Sequence, residues 1–365
     1  MTSAHIDTFV RDRVPPAEQL PRMLFELPEL QFGEQLNCAT ELLDRWVAQG
    51  DGERLAVLGA APDGSPIRWS YAELQRRANR IAHVLVEDLG LVPGNRVLLR
   101  GANSPMMAAC WFGVVKAGGI AVGAMPLLRA RELTTIVVKA QITHALVDAR
   151  LAEEVALARP ACPTLKHVLQ FNGNAADGLE AAMANKSAGF DNVDTAADDT
   201  CLIAFTSGTT GQPKAALHFH RDVMAACACW PLHVLRAAPV DRVIGSPPLA
   251  FTFGLGGLLL FPMSIGAACV LVEKASPDAL PAAIAQYRAT ICYSSPTAYR
   301  AMAAGSASGD TFSTNTQAAP IDIGNSSKPP RPNVKASGGL PMTRSSGEAR
   351  STWRGQQAQA AITSR

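Results

Sequence analysis

The sequence predicts an α/β fold built on mainly parallel sheets, and three observations carry that expectation. Short apolar runs of strand length alternate with stretches of helical spacing through most of the chain, the signature of successive βαβ units. Turn signals such as Pro93-Gly94 and Gly118-Gly119 separate them. The 365 residues are 48% hydrophobic and 18% charged, enough apolar material for a sizeable core. At roughly 100–200 residues per domain, the length suggests two or three domains or lobes.

The elements follow in order. Residues 71–89 carry Leu74, Ala78, Ile81, Ala82 and Leu85 at spacings of three and four, which predicts an amphipathic helix. Ser70 stands at its N-cap with Glu73 three positions on, the pattern of a capping box. A strand is expected at 96–99, a helix at 105–117 stopped by Gly118-Gly119, and a buried strand at 120–124. A helix at 131–140 and a strand at 144–147 follow. Residues 171–199 are polar and rich in Asn, Asp, Ala and Gly, and read as a linker. Strands are then expected at 200–205, 215–219, 242–246, 267–272 and 290–293, with helices at 222–230, 254–265 and 277–287. From 305 to 365 large apolar residues nearly vanish and no periodicity survives, which predicts a low-complexity, disordered tail.

Bulk properties exclude several classes. The net charge is +2 and no Lys or Arg block stands out, so no nucleic-acid partner is expected. The eight cysteines are scattered, without a CxxC pair or zinc-type spacing, so buried reduced thiols and no bound metal are expected. The N-terminus lacks a signal-type apolar core. The most apolar segment, 255–265, is shorter than the about 20 residues that span a bilayer. The expectation is a cytoplasmic protein with no membrane partner.

The strongest motif is Thr206-Ser207-Gly208-Thr209-Thr210-Gly211-Gln212-Pro213-Lys214, in which six of nine residues are Thr, Ser or Gly. Glycines let backbone N–H groups approach phosphate oxygens, hydroxyls add donors, and Lys214 adds a positive charge. The alternative is a polar turn in a hairpin. A Walker A loop is excluded, because Gly208 and Gly211 are only two residues apart and Ala215 follows the lysine. His220-Arg221-Asp222 is not a kinase catalytic loop, since Val223-Met224-Ala225-Ala226 continues it. His218 and His220 are either polar residues on a strand edge or groups near a substrate.

The loop resembles the signature of the acyl-adenylate-forming superfamily, with Ala215 in place of the usual final glycine. The similarity extends from about 38 to 303, through Trp69-Ser70-Tyr71, Asn103-Ser104-Pro105, and Lys116-Ala117-Gly118-Gly119. It implies the N-terminal large domain of the adenylate-forming fold, incomplete here, with two flavodoxin-like βαβ lobes. The implied organisation is an N-terminal extension 1–37, a partial AMP-binding domain 38–304 with lobes 38–170 and 200–304, and the tail. The segment Phe251-Thr252-Phe253-Gly254-Leu255-Gly256 resembles that of benzoate- and 2-aminobenzoate-CoA ligases. There it forms one wall of the acid pocket; the other reading is a core strand ending in a buried helix. Phe251 and Phe253 could flank a flat ring, worth about 0.5–1.5 kcal/mol each beyond burial. Gly254 and Gly256 leave room for the acid and for close backbone approach.

The resemblance implies ATP-dependent activation of an aromatic carboxylic acid, with Mg2+ and coenzyme A as further reactants. Thr206 to Lys214 would hold the nucleotide, with Lys214 catalytic, and Phe251, Thr252, Phe253 and Gly254 would seat the acid. The family's Gly-x-Thr-Glu motif, ribose-binding aspartate and C-terminal lobe with a catalytic lysine are not found between 305 and 365. Only Lys335-Ala336-Ser337-Gly338-Gly339-Leu340-Pro341 resembles the segment preceding that motif. The sequence therefore predicts a C-terminally truncated or frame-shifted aryl-CoA ligase. The competing expectations are a non-catalytic nucleotide-binding remnant and an adenylation protein that loads a carrier protein. Oligomeric state is not legible.

Overall fold

A computed structural model describes residues 2–173, 175–206, 213–273, 275–307 and 335–338. Twelve strands form two six-stranded sheets. In chain order they are β1 (Leu55–Ala60), β2 (Pro66–Ser70), β3 (Arg96–Arg100), β4 (Ile120–Ala124), β5 (His144–Asp148), β6 (His167–Phe171), β7 (Thr200–Thr206), β8 (Lys214–Phe219), β9 (Arg242–Gly245), β10 (Ala268–Val270), β11 (Ile291–Ser294) and β12 (Lys335–Gly338). The α-helices are α1 (Arg45–Ala48), α2 (Tyr71–His83), α3 (Pro105–Lys116), α4 (Ala130–Ala140), α5 (Ala152–Ala158), α6 (Leu179–Met183), α7 (His220–Ala228), α8 (Thr252–Leu255), α9 (Phe261–Ser264), α10 (Leu280–Tyr287) and α11 (Pro296–Ala307).

One sheet runs β6-β5-β3-β4-β7-β8 and the other β12-β11-β9-β10-β1-β2. Every neighbouring pair is parallel except two edge hairpins, β7–β8 and β1–β2. Mainly parallel α/β architecture is therefore what the sequence predicted. The wholly buried α3 packs against β3 and β4 of one sheet and β1 of the other. Such burial explains a sequence that is apolar up to its last residue, Lys116, which pairs with Asp44, since a helix covered on all sides needs no polar face. Ser104 caps it by accepting from Met107 N at 3.2 Å, with Pro105 in the first turn.

Several expectations need correction. The sheets do not divide into lobes 38–170 and 200–304. β1 and β2 join the late strands β9–β12, whereas β7 and β8 complete the sheet begun by β3–β6. Parallel partners are chosen across the chain by tertiary packing, so sequence order alone does not reveal them. Segment 171–199 is not a loose linker. It contains α6, buries Thr195, Ala196, Ala197 and Asp199, and Asn192 donates to Thr40 Oγ1 and Asp44 Oδ2. Nor is 1–37 a free extension: Val10 is buried, and Asp7 pairs with the buried Arg96 at 2.5 Å. Only half of the expected capping box forms at Ser70. Its Oγ accepts from Glu73 N at 3.3 Å, but the Glu73 carboxylate pairs with Arg76 and Arg77.

Lys335–Gly338, inside the stretch expected to be a disordered tail, forms β12 in parallel register beside β11. The rest of 308–365 lies outside the described residues. None of the eight cysteines forms a disulfide, and seven are buried. Among the described residues no helix is long and apolar enough to cross a membrane.

Candidate functional site

The predicted phosphate loop closes the antiparallel β7–β8 hairpin, with Thr206 and Lys214 as facing partners at its mouth. The geometric half of the hairpin alternative is thus what the chain adopts: this is a strand-to-strand connection, not a strand-to-helix turn. Thr206 and Lys214 are exposed and Pro213 half-buried. Ser207, Gly208, Thr209, Thr210, Gly211 and Gln212 lie outside the described residues. Lys139 on α4 donates from Nζ to Pro213 O at 2.8 Å and so anchors the loop's exit. Sequence reasoning missed Lys139, because nothing local marks a lysine that acts some seventy residues downstream.

The second predicted element begins where β9 leaves its sheet. Gly245 lies so close to Tyr293 O that any Cβ would overlap it, and Ser246 Oγ and Ser294 Oγ are 2.6 Å apart. The turn that follows is clamped by Asn103, which sits just before α3. Asn103 Nδ2 donates to Pro247 O at 3.0 Å, and Leu249 N donates to Asn103 Oδ1 at 2.8 Å. Ala250 then lies over Gly123 of β4, where a Cβ would stand 2.7 Å from Ala250 O. This backbone-on-backbone contact fixes the height of the turn above the sheet. Phe251 caps α8, and one helical run continues through a π-turn at Gly256–Leu260 into α9.

Beneath the turn is a small apolar cavity of about 10 Å³. Leu99, Trp111, Gly123, Ala204, Phe251 and Thr252 are among its lining residues. The structure thus brings Phe251 and Thr252 together with β7. Ala204 precedes Thr206 by two residues, about 7 Å along a strand. Phe251 is 42% exposed and forms the outer wall.

Phe253 and Gly254 do not line this cavity. Phe253 is absent from the lining and stands edge-on to Tyr293, with centroids 6.1 Å apart. Tyr293 is in turn held by Trp230 Nε1, which donates to its hydroxyl at 3.0 Å. Of the two rings, only Phe251 therefore faces this cavity. The space left by the missing Gly254 side chain is taken up by the Pro248 carbonyl, not by the cavity. Gly257, unremarked in the sequence, makes room for Tyr293, whose ring atoms would stand 2.9 Å from an added Cβ. Trp111 is 3% exposed, and its Nε1 has no hydrogen-bond partner among the described residues. A buried donor left unpaired is costly, so the cavity wall offers an unused N–H.

His220 is not on the strand edge but opens α7, at the far end of β8 from Lys214. Six residues of extended chain place it about 20 Å from the loop. Its Nδ1 accepts from Cys38 N at 3.0 Å and lies 3.2 Å from Cys38 Sγ. His218 is half-buried, and burial lowers its pKa below the usual histidine value. Neither histidine lines the cavity.

Comparison with known proteins identifies the family. The family model for AMP-binding enzymes matches residues 43–358, which runs into the stretch expected to be the tail. Benzoate–CoA ligase of Thauera aromatica is 30% identical over 278 residues, 76% of this chain and 52% of that protein. The salicyl-AMP ligase / salicyl-S-ArCP synthetase of Mycobacterium tuberculosis is 33% identical over 250 residues, 66% of this chain and 43% of that one. Among solved structures, an anthranilate CoA ligase in complex with anthranoyl-AMP superposes with a TM-score of 0.69 at 27% identity, over 75% of this chain and 52% of that one. The chain spans about half the length of the curated relatives it matches.

Proposed function

The chain belongs to the AMP-binding enzymes, and from that premise we propose that it binds ATP and activates an aromatic carboxylic acid as an acyl-adenylate. A carboxylate oxygen attacks the α-phosphorus, the α–β phosphoanhydride bond breaks, and pyrophosphate leaves. In the second half, coenzyme A thiolate attacks the acyl carbon and AMP leaves. The protein's part is to position the reactants and stabilise the developing charge. Thr206 to Lys214 hold the β- and γ-phosphates, with Lys214 drawing charge toward the departing pyrophosphate. Phe251 and Thr252 seat the acid; Phe253 and Gly254 support that wall from behind. Mg2+ arrives on the nucleotide's own phosphates.

The observation that carries this reading is the continuity of the cavity with the hairpin. Its wall runs from Phe251 and Thr252 to Ala204, the strand that leads directly into Thr206. Acid and phosphates would meet at one end of one strand. That the relatives named above act on benzoate, salicyl and anthranilate groups supports a ring-bearing acid.

Acid-dependent exchange of labelled pyrophosphate into ATP tests the first half-reaction. Exchange with benzoate or 2-aminobenzoate is the expected result. ATP binding without exchange would make the chain a nucleotide-binding remnant and overturn the catalytic reading. Thioester formation on coenzyme A then separates a CoA ligase from a protein that loads a carrier. Lys214→Ala should weaken ATP binding by about 1.5–3 kcal/mol, or roughly 10–150-fold. Unchanged affinity would remove the loop from its assigned role.

A further inference from the structure

We propose that Cys38, Cys201 and His220 form a binding site for one metal ion of the Zn2+ class, separate from the phosphate loop. Three distant segments build it. Cys38 stands just before the helical turn Thr40–Asp44, Cys201 is the second residue of β7, and His220 opens α7. All three are buried, and their ligand atoms lie within 4.8 Å of one another. Zn–S bonds of about 2.3 Å and Zn–N bonds of about 2.0–2.1 Å separate tetrahedral ligand atoms by somewhat less than 4 Å, so sub-ångström shifts close the site. Two thiols and an imidazole are the donor set of three-ligand zinc sites, which keep a fourth position open.

The surroundings contain unspent polar capacity. Asp222, 5% exposed, acts electrostatically on Cys201, and its Oδ1 has no hydrogen-bond partner among the described residues. His5, on which the charge of His220 acts, also leaves its Nε2 without a hydrogen-bond partner among the described residues. Native structures rarely leave several buried polar atoms unmatched in one place unless an ion or water completes them. A water supplies the fourth ligand, and Asp222 stands near enough to act on the site by its charge.

Charge favours a divalent ion. Two thiolates and a neutral imidazole cancel it, so the buried unit carries no net charge and escapes most of the cost of burying an ion. Binding releases the two S–H protons to solvent, so uptake strengthens as pH rises. The ion must displace the hydrogen bond from Cys38 N to Nδ1, which sets a limit on affinity. Its consequence would be structural. The site ties the base of the β7–β8 hairpin to the segment before Thr40, about 20 Å from the loop that the hairpin carries.

The test uses the full chain, reduced and stripped with a chelator, then titrated with Co2+. One equivalent should produce thiolate-to-cobalt charge-transfer and tetrahedral d–d bands, and Zn2+ should displace them and raise Tm. Cys201→Ala should lose both the bands and the Zn2+-dependent rise in Tm. Zn K-edge absorption of the wild-type chain gives a reading that needs no variant: two sulfur scatterers and at least one nitrogen are expected. A zinc shell without sulfur, bands that persist in Cys201→Ala, or a Cys38–Cys201 disulfide that forms on air oxidation while the reduced chain takes up no metal would each overturn the proposal.

Discussion

Gly254→Ala probes the wall of the cavity most directly. The added Cβ would overlap Pro248 O, with Pro248 C at 2.5 Å and Pro247 O at 2.9 Å. All three are backbone atoms, so no rotamer change relieves the clash. The turn cannot retreat freely either. Asn103 holds it at Pro247 and Leu249, and Gly123 blocks it beneath Ala250. Overpacking of this kind costs about 1–3 kcal/mol. At about 2.1 cal/mol/K of unfolding entropy per residue, a chain of this size loses about 1–2 °C of Tm per kcal/mol, so a drop of roughly 1–5 °C is expected. Thermal unfolding followed by circular dichroism measures it. Gly189→Ala is the control, because its Cβ would meet only Ser187 Oγ at 3.8 Å, and a surface change of this kind should stay within about 0.5 kcal/mol. The same variant should weaken acid binding, since Phe251 and Thr252 ride on the displaced turn. A Gly254→Ala chain that melts with the wild type would refute the argument that the Pro248 contact fixes this wall.

Two further substitutions separate other parts of the molecule. Ala204→Leu should fill the cavity and abolish acid-dependent exchange, while ATP affinity changes by less than about 0.5 kcal/mol; an equal loss of ATP binding would mean that Ala204 acts through Thr206 rather than through the acid. Arg150→Gln should cost about 1–3 kcal/mol at pH 7 by urea unfolding, because Asp148 is wholly buried and would lose two of its hydrogen bonds. The pH dependence has a definite sign. Burial pulls the Asp148 carboxyl upward, but hydrogen bonds from Arg150 and Asn172 outweigh it and hold the pKa below the ordinary aspartate value of 3.8. The stabilisation is present above pH 3.8 and lost as pH falls through the folded pKa, so wild type and variant should converge below that pH. A gap that stays constant from pH 7 to below 3.8 would sink this account.

The parts of the fold that could be read from the sequence are those written in local chemistry. The helix after Ser70 was legible because its cap, its spacing and its charges all fall within one stretch. β4 was legible as an apolar run between a glycine pair and a proline turn, and the hairpin loop as a dense local composition. The exchange of strands between sheets was not, because β1 finds β10 and β7 finds β4 through packing that no window of the sequence records. The same divide runs through the candidate site. Phe251 and Thr252 were found from an aromatic-glycine run, but which residues face the cavity depends on where the turn is clamped. Asn103 does that clamping from another segment, as Lys139 anchors the exit of the phosphate loop, and nothing local marks either role. Gly254 was singled out correctly as a place where space matters, although that space serves Pro248 rather than a ligand.

The size of the cavity decides how a ring could use it. About 10 Å³ holds roughly one water, whereas an apolar cavity that takes up benzene is on the order of 150 Å³. The inner walls cannot supply the difference. Leu99 is buried on a central strand, Trp111 lies on the buried α3, and Gly123 is pinned by Ala250. The outer wall can, because Phe251 and Thr252 are exposed and Phe251 precedes the helix rather than lying within it. Binding of an aromatic acid therefore requires the Phe251 ring to swing toward solvent while the Asn103-held turn stays in place. Rotation of a half-exposed side chain is fast and cheap compared with moving the sheet. The rigid contacts at Gly123, Asn103 and Gly254 lie around the exposed Phe251 ring, so such a swing would keep the opening directed toward the end of β7, where Thr206 begins the loop.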